Sequence, residues 1–106
     1  MKTTTYHYNI ERKNRRDYIE KTVTMGKEIC SVRFTSPSSK KESLSVLTDT
    51  GVIIVYNDNW IPVTVFIGNI RQTTAMYRKA TGEKLVPPSL FKKFQIADYY
   101  SELQPK

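Results

Sequence analysis

The sequence predicts an α+β fold: a four-stranded antiparallel meander sheet with an N-terminal helical region and one or two C-terminal helices packed on it. Three observations carry this. Four short runs rich in apolar and β-branched residues follow one another between residues 29 and 67, each bounded by polar turn residues. Residues 43–69 hold Asp49 and Asp58 but no Lys or Arg, while both flanks are basic. Helix-start patterns stand before and after the strands. Short connections between consecutive strands allow antiparallel pairing and leave no room for parallel crossovers. A chain of 106 residues builds one core, so a single domain over 1–106 is expected, with 100–106 as a frayed tail.

The elements follow in order. Tyr6-His7-Tyr8-Asn9-Ile10 reads equally as a short strand or a helix entry. Asp17-Tyr18-Ile19-Glu20 has the D-x-x-E form of a capping box, with Ile19 and Val23 on one face and Gly26 suited to the left-handed position beyond the last turn. A helix over roughly 17–25 is therefore expected, with a further turn at 9–15 left open. Ile29–Thr35 alternates as a strand, and the polar, proline-containing stretch 36–42 is a loop. Ser43–Thr48 is the second strand, Asp49-Thr50-Gly51 a turn, and Val52–Tyr56 the third strand. The third strand is apolar at nearly every position, the mark of a central strand covered on both faces.

Asn57-Asp58-Asn59 makes the next turn, from residue types that tolerate positive φ. Trp60–Ile67 gives the fourth strand, with Pro62 near its start. Asn69 and Gln72 form an N-x-x-Q capping box for a helix that Gly82 closes. On that helix Ile70, Thr74 and Tyr77 share one face, and Arg71 and Arg78 project from another. Pro87-Pro88 breaks the chain, and Ser89 is expected to cap a last helix, with Leu90 and Phe94 inside and Tyr99 and Tyr100 partly exposed.

Charge points to the partner. Lys and Arg total 17 against 10 Asp and Glu, a net charge of +7. The surplus is clustered: residues 1–21 carry net +3 and residues 70–93 net +5. A basic surface of this kind concentrates polyanions, so the expected partner is nucleic acid, RNA favoured, or an acidic protein surface. Lys13, Arg15, Arg71, Arg78 and Lys79 are the candidate nucleic-acid contacts. No apolar run approaches the ~20 residues that span a bilayer, and the start MKTTTYHYNIERK lacks a signal peptide's apolar stretch, so a cytoplasmic location without membrane contact is expected. The oligomeric state is not legible.

The catalytic inventory is narrow. Phosphate-binding glycine motifs are absent. One cysteine, Cys30, excludes an internal disulfide, and one histidine, His7, excludes a multi-histidine metal centre. Neither a metal nor a cofactor is expected. Cys30 within a strand is first a structural thiol. What remains is one histidine among arginines, tyrosines and hydroxyls. Cleavage of RNA at the 2′-hydroxyl needs a base, cations for the charged phosphorane and an acid for the leaving oxygen. His7 is the candidate acid or base, Arg12, Arg15 or Arg16 the phosphate-binding cation, and Tyr6, Tyr8 or Tyr18 a stacking platform. Plainer roles stand beside these: His7 as an ordinary surface or packed side chain, the Arg12–Arg16 run as a solvated face or a non-catalytic phosphate contact, Thr64 on the fourth strand as a residue suited to the pleat, and Tyr56, Trp60 and Phe66 as core or hairpin partners.

The order of elements, with His7, Arg12 and Arg16 before the sheet and the Thr64-Val65-Phe66 run on its fourth strand, resembles the BECR nuclease superfamily, which groups barnase, EndoU, the colicin tRNase domains and RelE-type toxins. The resemblance spans about residues 7–81 through order and spacing rather than identity. It implies a toxin- or phage-type, metal-independent ribonuclease-like domain of mobile-element origin, with His7, Arg12, Arg16 and Thr64 as catalytic residues. The alternative is a non-enzymatic module that binds nucleic acid or protein, such as a phage-encoded inhibitor of a host defence system. The chain lacks the second histidine or lysine near the fourth strand that some members use. Convergence of His7, Arg12 or Arg16 and Thr64 in one cleft would separate the two readings.

Overall fold

A computed structural model describes residues 13–105. Its elements are α1 (Lys13–Lys21), β1 (Glu28–Thr35), β2 (Glu42–Thr48), β3 (Val52–Tyr56), β4 (Pro62–Ile67), α2 (Ile70–Thr81) and α3 (Pro88–Ser101). The four strands form one sheet in the order β1-β2-β3-β4, every neighbouring pair antiparallel. The fold is thus α+β with a meander sheet, a helix before it and two after it.

Strand alternation divides the apolar residues between two faces. Val52 and Ile54 of β3 and Val65 and Ile67 of β4 pack with Ile19 of α1. On the opposite face Leu47 and Ile53 pack with Phe94, and Cys30, Val55, Phe66, Ile70, Met76 and Tyr77 surround them. α1 therefore lies on one face and α2 on the other. α3 crosses the end of the sheet, where Phe94 joins the α2-side cluster and Ala97 the α1-side cluster. Gly51 makes this crossing possible. Its φ is +87°, and an added Cβ would stand 2.5 Å from the Cβ of Ala97.

Hydrogen bonds tie the turns at that end together. The Thr50 hydroxyl donates to the Thr24 carbonyl at 2.7 Å, and Asp49 Oδ1 accepts from the Lys27 amide at 3.0 Å. α2 opens as expected. Asn69 Oδ1 accepts from the Gln72 amide at 2.8 Å, Gln72 Oε1 accepts from the Asn69 amide at 3.0 Å, and Gly82 takes the left-handed position at the other end.

Several expected boundaries shift. Asp17 is not an N-cap: it lies exposed within α1, because Lys13, Asn14, Arg15 and Arg16 are already helical and Glu20 falls in the same helix. The helix ends at Lys21, and Thr24, at φ +66°, takes the first left-handed turn beyond it. The Thr24 amide donates back to the Ile19 carbonyl at 2.7 Å. In the β3–β4 turn the residue at positive φ is Trp60, at +61°, rather than an asparagine. Asn57 explains this: its Oδ1 accepts from the amides of Asn59 and Ile61, and its carbonyl from that of Trp60, which wraps the turn around its side chain. β4 accordingly starts at Pro62. Ser89 does not cap α3, because Pro88 already occupies the first turn and suits it, having no amide to satisfy.

The C-terminal segment, expected to fray, makes two kinds of tertiary bond. Gln104 Oε1 accepts from the Ile67 amide at 2.9 Å, and its Nε2 donates to the Ile67 carbonyl at 3.0 Å. A side-chain amide here imitates a neighbouring strand on the outer edge of β4, satisfying groups an edge strand otherwise leaves open.

Candidate nucleic-acid interface

His7 and Arg12 lie outside the described residues. Of the remaining catalytic candidates, Arg16 is on α1 and Thr64 on β4. Thr64 is paired with Val55 and alternates with Val65, so it belongs to the α2-side face, whereas α1 packs on the face of Val65 and Ile67. Arg16 thus stands on the helix that covers one face of the sheet, and the Thr64 side chain belongs to the other face.

The arginine run does not form a uniform solvated face. Arg15, Arg16 and Ile19 share one side of α1 by their i, i+3 and i+4 spacing. Ile19 is fully buried, and both arginines are half-buried beside it, while Lys13 and Lys21 are exposed. Arg15 Nε donates to the Pro105 carbonyl at 3.0 Å and its Nη1 to the Val65 carbonyl at 3.3 Å. Its guanidinium joins helix, edge strand and C-terminal segment, so as a nucleic-acid contact it is already committed to the fold. Tyr18 is committed too. Its hydroxyl donates to the Tyr100 carbonyl at 3.1 Å, and the two rings meet edge to face at 6.5 Å. Partial burial, then the neighbouring Tyr100 and Tyr99, raise its pKa, which keeps the phenol protonated. Cys30 is half-buried on the α2 face, and burial raises its pKa, as suits a structural thiol.

The second basic cluster behaves differently. Arg71, Arg78 and Lys79 on α2, Lys84 in the connection, and Lys92 and Lys93 on α3 are all exposed. Glu83 is the one acidic residue between positions 70 and 93. The α2 face presented to the core is uncharged, being made of Ile70, Thr73, Thr74, Met76 and Tyr77, so the helix sends its cations outward by construction. Thr73 and Thr74 satisfy their hydroxyls on carbonyls of the preceding turn. Arg71 and Arg78 lie two turns apart, about 10 Å along the axis. Lys93 approaches Asp49 at 3.7 Å on an exposed surface, a separation worth little energy there. At the α2 N-terminus Asp98 Oδ1 accepts from the Ile70 amide at 2.8 Å, which fills that position with the chain's own carboxylate.

The arrangement supplies exposed cations on α2, the connection and α3; Lys93 lies near Asp49, and Arg71 lines a cavity with Asp98 and Glu102. Among the described residues no three His, Cys, Asp or Glu side chains are grouped to hold a metal ion, and no helix is long and apolar enough to cross a membrane. Sequence reasoning found the α2 cations but missed Gln104 and the structural use of Arg15, whose partners lie 37, 50 and 90 residues away. Comparison with protein-family models, with curated proteins and with solved structures gives no match to this chain.

Proposed function

We propose that this protein is a small non-enzymatic module that binds nucleic acid, with RNA as the preferred partner, through the outer surface of α2 and the connection into α3. The carrying observation is the exposure of Arg71, Arg78, Lys79, Lys84, Lys92 and Lys93 with Glu83 alone among them. Arginine on a rigid helix suits phosphate because its planar fork donates two hydrogen bonds at once, and the neighbouring lysines add charge without demanding geometry. The preference for RNA comes from the resemblance to BECR domains. The second reading, metal-independent cleavage by His7, Arg12, Arg16 and Thr64, comes from the same resemblance.

The test is a titration of labelled RNA and DNA at several salt concentrations, with EDTA present and the RNA run on a denaturing gel afterwards. The expected result is binding that weakens steeply with salt, each phosphate contact adding about −0.7 to −0.9 to the slope of log K against log salt, and intact RNA throughout. RNA cut by the wild-type protein and spared by His7→Ala would replace this reading with the ribonuclease one. Salt-insensitive or absent binding would turn the search to an acidic protein partner.

A further inference from the structure

α2 covers only part of its sheet face. It lies over the cross-strand row formed by Cys30, Leu47, Ile53 and Phe66, which the pairing register places side by side. The next rows hold Val32 opposite Ser45 and Phe34 opposite Ser43. There an open cleft of about 340 Å³ runs between the sheet and the helix, walled by Val32, Phe34, Ser43 and Ser45 on the strands and by Met76 and Lys79 on α2. Its volume falls in the ~300–1,000 Å³ range of small-ligand clefts. Phe34 is 57% exposed, although Val32 two residues earlier and on the same face is half-buried. The cleft thus joins an open aromatic ring to two serine hydroxyls and a lysine.

We infer that this cleft takes an unpaired nucleobase of the bound strand. The base stacks on the Phe34 ring, its polar edge meets the Ser43 and Ser45 hydroxyls, and the adjoining phosphate lies on Lys79. The inference rests on the nucleic-acid reading above and adds what the cleft selects: a single strand, since a base inside a duplex has both faces stacked and its pairing edge occupied. Charge complementarity argues for this occupant. Lys79 belongs at once to the cleft wall and to the exposed cations of α2, so a phosphate held by Lys79 sets the adjoining base at the cleft mouth.

Fluorescence anisotropy with single-stranded RNA, single-stranded DNA and the duplex of one sequence tests it. Phe34→Ala is expected to weaken single-strand binding roughly 10- to 100-fold, the worth of one stacked base, and to leave duplex binding within about twofold. Phe34→Trp is expected to retain single-strand affinity, and its added indole emission to be quenched on binding, measured against the wild-type protein with Trp60 alone. A loss in both single strands means that the base itself is read; a loss in RNA alone means that the serines read the 2′-hydroxyl. Either supports the cleft. If Phe34→Ala leaves single-strand affinity within twofold, weakens the duplex equally, or if the Phe34→Trp emission does not respond, the cleft assignment is overturned while salt-sensitive binding by the wild type keeps the wider reading. Absence of wild-type binding to all three overturns both.

Discussion

The two basic flanks of this chain are built from the same residue types and are put to different uses. In α1, Arg15 and Arg16 turn inward with Ile19, and the Arg15 guanidinium bonds carbonyls of β4 and of the C-terminal segment. In α2, Arg71, Arg78 and Lys79 point away from a core-facing stripe that needs no charge. A count of basic residues therefore overstates the surface available to a polyanion. What decides availability is where the fold leaves each guanidinium: Arg15 and Arg16 are half-buried beside Ile19 of α1, whereas Arg71 and Arg78 of α2 are exposed.

The comparison can be broken by truncating arginines on each side. Arg15→Ala removes two charge-assisted hydrogen bonds to carbonyls, which cost about 1.5–3 kcal/mol to lose at a partly buried site, or roughly 5–15 °C in melting temperature for a domain of this size. Arg78→Ala is expected to move stability by less than ~0.5 kcal/mol, as for an ordinary surface change. Thermal unfolding of both variants measures the contrast, and equal melting temperatures would remove it.

Next in size is Gln104→Ala, which opens the outer edge of β4 at Ile67. Losing two neutral hydrogen bonds costs about 1–2 kcal/mol, and amide exchange at Ile67 is expected to quicken more than at Val52, its partner on β3. Asn69→Ala at the start of α2 is expected to cost about 1 kcal/mol, the usual worth of an N-cap, and to fray the helix that carries Arg71, Arg78 and Lys79. Urea unfolding of the two variants, set against Arg15→Ala, ranks the three supports.

The smallest expected effect concerns Cys30, on the strand that α2 overlies. Burial disfavours its thiolate, so its folded pKa lies above the ordinary thiol value. At pH 8 iodoacetamide should alkylate it more slowly than the urea-unfolded chain. The sign for stability follows: the raised pKa contributes below the unfolded thiol pKa and is lost as pH climbs through the folded one, in the alkaline range. Alkylation at equal rates in both states would show the thiol open to water.

Much of the fold is legible in the sequence because its signals are local. The capping box at Asn69 and Gln72, the left-handed Gly82, the doubly buried run Val52–Ile54 and the turn at Gly51 each depend on a few adjacent residues. The misplaced features compete with equally local signals. Asp17 and Glu20 have capping-box spacing, yet a basic run with good helix propensity continues the helix through them. Trp60 takes a left-handed conformation that its own type disfavours, because Asn57 holds the turn. The candidate site is less legible. Whether an arginine is free or structural depends on carbonyls brought near by the fold, and the cleft beside Phe34 exists only because α2 stops short of the outer rows of the sheet. Neither fact is a property of any short stretch.

The central claim is that α2, not α1, carries the nucleic-acid surface. The most direct test is the slope of log K against log salt for single-stranded RNA. It compares the wild type, the triple variant Arg71→Ala, Arg78→Ala and Lys79→Ala, and the double variant Lys13→Ala and Lys21→Ala, whose exposed α1 lysines touch nothing described above. The predicted result is a slope shallower by about 2 for the triple variant, from loss of roughly three phosphate contacts, and an unchanged slope for the double. A triple variant with the wild-type slope, or a double variant that loses as much, would contradict the assignment.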